Sequence, residues 1–507
     1  MTQHPGLSSL VRRVAVLTAV CLSLTLNVDA GPRRARLSRD LADRLASGRS
    51  DTTSVILTGD QSRIQAIAQR HGSRVKKQLR GASVLEVTGD QLDALSQDPE
   101  VDHISGDVPV RRLMAVTSEA IGADRVWSGG FAGLDGYTGR GIGVAVIDSG
   151  VASHKALKKQ IVASLDFTGG RGVPRDQFGH GTHVAGIIAA ARDSGYTGVA
   201  PDAAIVSLKV LNDDGSGETS DVIAAIQWAI DNRARYNLRV INLSLGHPVF
   251  ENYRDDPLCQ AVARAVDAGM VVVAAAGNFG KTEDGRKVIG GIVSPGNSPA
   301  ALTVGASNTL GTVQRSDDVM ATYSSRGPTA MDGLLKPELV APGNKIVATA
   351  AAGSYLAKTY PERLVLGAES ETYIELSGTS MAAAVVTGAA ALLLDANESL
   401  TPADVKLALQ VTSSKLAGAG LIEAGAGSVN VLAAVGLVTG TLKAPSELAS
   451  QVSGTFYLHG ATHTAVGNRA LVRDGAWTSM LPSSIVWTDS IVWTDSIVWT
   501  DNSPAGG

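Results

Sequence analysis

The sequence has only two cysteines in 507 residues, Cys21 and Cys259. Cys21 lies inside an apolar N-terminal stretch that reads as an export leader. Removal of that leader leaves Cys259 alone and excludes an intramolecular disulfide, so stability must come from packing or bound ions. Aromatic residues are scarce, at 4% against 56 glycines. The core therefore has to be built from Ala, Val, Leu and Ile with many close backbone approaches. Strong charge of either sign is also missing. A net charge of -4 offers no basic field for nucleic acid or an anionic membrane surface, and neither is an expected partner. The apolar segment Val14–Val28 follows Arg12 and Arg13 and ends in the small-residue site Val28-Asp29-Ala30. It is too short for a comfortable membrane span and suits a cleaved signal peptide. No small residue stands just before Cys21, which argues against a lipoprotein anchor. A secreted, extracellular protein with no stable membrane span after signal removal is expected.

What is present is apolar material in quantity: 44% of the residues are hydrophobic, enough for at least one large core and more than one folded unit. After the signal at 1–30, residues 31–113 carry SVILTGD, QSRIQAIAQRHG, ASVLEVTGD, QLDALSQDP and VDHISGDVPV. These alternate strand and helix periods in the order β-α-β-β-α-β, which predicts a small α+β, ferredoxin-like unit. Residues 114–438 change rhythm. GIGVAVID, AAIVSLKVL, RVINLSL, GMVVVAAAGN and ALTVGAS are near-continuous apolar strands with helical segments between them, the signature of an α/β fold whose parallel sheet is covered on both faces in three layers. Residues 439–507 form an extension ending in three tandem copies of SIVWTD. An even period keeps Ile, Trp and Asp on one side of an extended chain and Val, Thr and Ser on the other; no chemistry is read from it.

Four polar positions fall near strand or helix ends, where open α/β sheets place ligands. Asp148 closes GVAVID. His180 lies in FGHGTHVAGIIAAA at a helix start beside glycine. His183, three residues on, points into helix packing as a hydrogen-bonded core residue, and the pair lacks the Glu and third ligand that zinc would need. Asn278 ends VVVAAAGN and has an amide that can donate to an oxyanion. Ser380, in SGTSMAAAVV, starts an Ala-rich apolar helix. Taken alone, each is an ordinary turn former or cap. Together they supply a carboxylate, a base, an oxyanion donor and a nucleophile, which is what a serine hydroxyl needs in order to attack a carbonyl.

The segments VIDSGV, GHGTHVAG, AAAGN and SGTSMA resemble, in that order, the signature motifs of the subtilisin-like (subtilase) serine endopeptidases, over roughly residues 119–436. The resemblance implies a triad of Asp148, His180 and Ser380, an oxyanion hole containing Asn278, and an acyl-enzyme route to peptide hydrolysis. It further implies extended polypeptide substrates paired with Ser244-Leu245-Gly246 and Gly215-Ser216-Gly217. Ala276 and Gly277 would line the primary pocket with Val293, which stands where many relatives have glycine and so makes the pocket shallower. YSSRGP and KPELVAPG are similar to structural segments of the family.

The chain also departs from the family pattern. Ala383-Ala384-Val385 replaces the usual Ser/Thr-Pro-His, a change the helix tolerates. His154-Lys-Ala-Leu157 lacks the calcium-binding Asp of the corresponding segment in relatives. The loop Arg192–Thr197 is short, so the usual strong calcium site is absent, with Asp193 and Asp202 left as a weaker candidate. No cofactor or metal is required for the chemistry. Residues 31–113 resemble the family's propeptide, an inhibitor and folding aid, which would be a partner of its own enzyme; the enzyme itself is expected to be a monomer. The rival reading is a catalytically silent subtilase fold serving as a peptide-binding or adhesive module.

Overall fold

The computed structural model describes residues 34–79, 81–107, 113–130, 133–170, 174–367 and 371–441, with three short strand segments between 463 and 479. The signal segment, most of the junction between Asp107 and Leu113, and the SIVWTD repeats lie outside the described residues. The chain divides into two compact units, Met1–Val110 and Arg111–Gly507.

In the first unit, strands β1 (Arg36–Leu37), β2 (Thr53–Thr58), β3 (Arg74–Leu79), β4 (Ala82–Val87) and β5 (His103–Gly106) form one sheet in the order β1-β5-β2-β4-β3. Helices Gln61–Arg70 and Gly89–Ser96 follow β2 and β4. Asp60 caps the first, and the second begins in a capping box between Thr88 and Gln91. From β2 to β5 this is the β-α-β-β-α-β order expected from the sequence. Period-2 alternation turns Val55, Leu57, Leu85 and Val87 onto Ile64, Ile67, Leu92 and Leu95, which close the core. Ahead of this run, β1 and helix Arg39–Ala46 were not anticipated; the helix adds Leu41 to the core.

The second unit is built on β6 (Gly143–Asp148), β7 (Ile161–Asp166), β8 (Ala204–Lys209), β9 (Leu238–Leu243), β10 (Val271–Ala275), β11 (Leu302–Asn308), β12 (Val319–Met320) and β13 (Leu339–Pro342). The order is β7-β8-β6-β9-β10-β11, with β13 beside β11. Every pair in it is parallel, and β12 is antiparallel to β11. Alternate residues of one strand feed opposite cores. Val144 and Val146 pack with helices His180–Ala189 and Thr379–Ala396, while Ala145 and Ile147 pack with Thr219–Asp231 and Pro257–Asp267. Strands apolar on both faces therefore lie inside three layers, as their composition predicts. A second small sheet, β14 (Ile346–Thr349), β15 (Leu364–Leu366) and β16 (Thr372–Leu376), is ordered β14-β16-β15. Helix His180–Ala189 passes so close to β14 that a Cβ on Gly186 would meet Thr349 Oγ1 at 2.2 Å.

Thr379–Ala396 is long and apolar enough to cross a membrane by composition, but it lies in the core. From Thr379 to Leu394 every residue except Ser380 is buried.

One buried charge cluster fixes the loop behind the cleft. Lys336 Nζ donates to Glu338 Oε1 (2.5 Å), Thr303 Oγ1 (3.0 Å) and the Ala301 carbonyl (3.0 Å), and Lys406 Nζ reaches the same Glu338 oxygen at 2.6 Å. Thr303 Oγ1 in turn donates to the Gly296 carbonyl at 2.6 Å, tying the loop that carries Val293 to the sheet. Lys336 and Glu338 are 1% and 6% exposed, so removing one partner strands charge in the interior. Glu338→Ala is expected to cost about 3–5 kcal/mol, read as a lowered urea midpoint; a loss under ~1 kcal/mol, the range of an exposed pair, would show that the cluster is solvated.

Candidate active site

Parallel strands put their carboxyl ends at one edge, and the polar residues singled out in the sequence gather there. Asp148 is the last residue of β6, and His180 is the first residue of helix His180–Ala189. Ser244 follows β9, and Asn278 comes three residues after β10. Ser380 is the second residue of its helix and half-buried, the one side chain in that buried stretch that reaches the cleft.

Asp148 is fully buried and accepts from His180 Nδ1 at 2.8 Å through Oδ1 and 3.0 Å through Oδ2, with the Ser149 N–H on Oδ1 at 2.7 Å. The contact assigns the Nδ1 hydrogen to the carboxylate side and leaves Nε2 as the acceptor. Burial works against a charged ring. The charge and hydrogen bond of Asp148, with the charge of Asp176, outweigh it, and the His180 pKa stands above the ordinary imidazole value.

Ser380 is not hydrogen-bonded to His180. Its Oγ donates to the Ser244 carbonyl at 3.1 Å, and Ser244 Oγ donates to the Ser380 carbonyl at 2.9 Å, so the two segments hold each other. Asn278 is held through its oxygen, which accepts from Thr379 N–H (3.0 Å) and Thr379 Oγ1 (3.1 Å). This fixes the amide orientation and turns Nδ2 toward Gly378, where a Cβ would come within 3.5 Å of it. Thr379, Ser149 and Asp176 were given no role in the site from sequence. Only the spacing of Asp176 before GHGTH could have pointed to it as a cap.

Gly215-Ser216-Gly217 and Ser244-Leu245-Gly246 line one cavity of about 380 Å³ together with His180, Phe178, Leu211, Val222 and Leu258. Ala276 and Gly277 continue from β10 on the other side. Val293 fills the gap between the two segments: a Cβ on Gly246 or on Gly277 would lie 2.7 Å from a Val293 methyl, and Gly277 has φ 101°. Behind Val293, the buried Ser294 donates to Asp256, and Cys259 is pushed up to about 12 by burial and the Asp256 charge.

His183 is fully buried, bonded through Nε2 to the carbonyls of Ile346 and Ile374, and depressed to about 3 by burial, so it is a neutral core residue. His154 Nδ1 accepts from the Ala156 N–H, and the Ser194 carbonyl in the short loop is occupied by Tyr373 OH at 2.8 Å. Asp202 faces Arg140 at 3.7 Å, and no group of three or more His, Cys, Asp or Glu side chains able to hold a metal occurs among the described residues.

A buried Asp–His pair and a serine at a helix N-terminus gather at the carboxyl edge of one parallel sheet, the arrangement of a serine hydrolase. Residues 139–428 match the peptidase S8 subtilase family. Serine protease AprX of Bacillus subtilis (strain 168) is 34% identical over 384 residues, 74% of this chain and 84% of its own. Subtilisin E of the same organism is 33% identical over 402 residues, 77% of this chain and 92% of its own. The solved structure of sphericase is 32% identical, covering 62% of this chain and 99% of its own with a TM-score of 0.49. The chain belongs to the subtilase family and is a serine endopeptidase.

His180 should titrate above the usual imidazole range, followed by NMR of its ring signals, and Asp148→Asn should bring the midpoint down. An unchanged midpoint in that variant would show the two groups uncoupled.

Proposed function

We propose that this is a secreted, self-processed endopeptidase in which Ser380 is the nucleophile, His180 the general base and acid, Asp148 the group that orients His180, and Asn278 an oxyanion donor. The observation that carries the reading is the 2.8 Å contact of His180 Nδ1 with the buried Asp148, which leaves Nε2 free to take a proton at the cleft.

Rotation about the Ser380 Cα–Cβ bond transfers its hydroxyl from the Ser244 carbonyl to His180 Nε2. The hydroxyl proton passes to Nε2 as Oγ bonds the scissile carbonyl carbon, and the carbonyl electron pair moves onto oxygen. Asn278 Nδ2 and the N–H of Ser380, at a helix start, donate to that oxygen. Collapse breaks the C–N bond while Nε2–H gives its proton to the leaving amine. Water then repeats the sequence to release the acid and restore the serine. The substrate lies between 215–217 and 244–246 as an added strand. Residues 31–113 act as the propeptide, and Val14–Val28 with its arginines and Val28-Asp29-Ala30 supports export.

Full-length protein should separate residues 31–113 from the remainder, and Ser380→Ala should not; release by both would remove Ser380 from the nucleophile's role. Asn278→Ala should lower kcat by roughly 10²–10³ with KM nearly held, a magnitude carried over from the oxyanion asparagine of subtilisin and not obtained from this geometry. Wild type should cleave after Ala or Leu faster than after Phe or Tyr. Val293→Gly should reverse that order by about tenfold or more, the scale of a few methylenes in a pocket. A wild-type preference for large aromatics would show that Val293 does not set the depth.

A further inference from the structure

Behind His180 lies a second buried carboxylate that the reaction above does not use. Asp176 is 4% exposed and precedes His180 by four residues. Its Oδ1 accepts from Ser149 Oγ (2.8 Å) and the Gly179 N–H (2.7 Å), and its Oδ2 from the Thr182 N–H (2.8 Å) and Thr182 Oγ1 (2.6 Å). Both hydroxyls have their directions set from behind. Ser149 Oγ accepts from the Gly181 N–H at 2.9 Å and Thr182 Oγ1 from the Ala152 N–H at 2.9 Å, so each hydroxyl hydrogen points at Asp176. The acceptor directions of an ionised carboxylate are thereby filled.

This arrangement replaces a missing cap. Gly179, at the N-cap of helix His180–Ala189, has no side chain to satisfy the first N–H groups. Asp176 takes Gly179 and Thr182 directly and Gly181 through Ser149. Ser149 also donates its own N–H to Asp148 Oδ1 at 2.7 Å, so one residue joins both carboxylates, and the backbone on either side of His180 is held by the same group. The charged groups around the cluster are Asp148, His180 and Lys209, whose Nζ donates to the Ser149 carbonyl at 3.1 Å. The negative charge of Asp176 adds to that of Asp148 in favouring protonated His180. Burial raises the pKa of Asp176 itself against the pull of its donors.

We propose that Asp176, bridged by Ser149, is a positioning residue that holds His180 and Asp148 in register for proton transfer. It acts through the backbone of residues 179–182 and never touches substrate. The proposal rests on the reading of Asp148, His180 and Ser380 as the reacting set.

The test uses the full chain carrying Asp176→Asn, with Ser149→Ala, Thr182→Val and His180→Ala alongside, assayed on one peptide for kcat, KM and the pH dependence of kcat/KM. An amide at 176 presents hydrogens to donors and removes a negative charge. Asp176→Asn should lower kcat about 10- to 100-fold, the scale of a small misplacement of a reacting group, with KM within about twofold. Its acid limb should move to lower pH, because a less stabilised imidazolium loses its proton earlier. Unchanged kcat, or a kcat loss matching the loss of folded protein with the acid limb unmoved, would overturn the role. If Asp176→Asn does not fold, the decision passes to Ser149→Ala and Thr182→Val, each of which deletes one donor and keeps the carboxylate. Loss of kcat at constant KM in both supports the proposal, and wild-type kcat in both sinks it. Full activity in His180→Ala would instead bring down the assignment of the reacting set.

Discussion

Helix Thr379–Ala396 has no face that tolerates water, and its place follows from that constraint. It packs against β9, β10, β11 and β13 on one side and helices His180–Ala189 and Val431–Val438 on the other. The run Ala382-Ala383-Ala384 and the segment Gly388–Ala391 keep the approach close. A helix buried this completely cannot slide or rotate without exposing apolar surface. Ser380, its single opening to the cleft, is therefore placed by the packing of the whole domain and not by the turn that carries it.

The same logic places the partners. A parallel sheet largely apolar on both faces keeps few polar side chains within its strands, and β6, β9 and β10 each deliver a polar residue at the carboxyl edge within a few positions of the last strand residue. Around them the hydrogen bonds come in reciprocal or shared pairs. Ser244 and Ser380 exchange hydroxyl and carbonyl, Thr379 takes both contacts of Asn278 Oδ1, and Ser149 joins two carboxylates. Such closed sets leave few alternative rotamers, so the edge is ordered before any ligand arrives.

Much of this was legible in the sequence, for identifiable reasons. The strands GVAVID and VVVAAAGN are short, apolar throughout and end in a polar residue, which suffices to read a covered parallel sheet and its functional edge. Helix Arg39–Ala46 and the small sheet β14-β16-β15 were missed, because RDLADRLA, though amphipathic, spans only eight residues and TYIEL and LVL are too short to separate from loop. The parts that Asp176, Ser149 and Thr379 play in the site were not read, for a different reason. Ser149 and Thr379 act by hydrogen bonds whose partners are set by tertiary placement, as does the contact of Asp176 with Ser149, and no spacing rule distinguishes Ser149 Oγ bonded to Asp176 from a serine facing solvent. Val293 was legible as a bulky residue in a glycine position. Its wedging between Gly246 and Gly277 depends on two segments more than thirty residues apart in the chain.

The wall behind that pocket carries the thiol of Cys259. It is 1% exposed, within hydrogen-bond reach of Asp256 and Asn297, and protonated throughout the range in which proteins are handled. Alkylating and mercurial reagents can reach it only when helix Pro257–Asp267 separates from the loop bearing Ser294. Labelling at this one sulfur therefore counts openings of the region beneath Val293 and Ser294, an intrinsic clock for local breathing that needs no introduced residue.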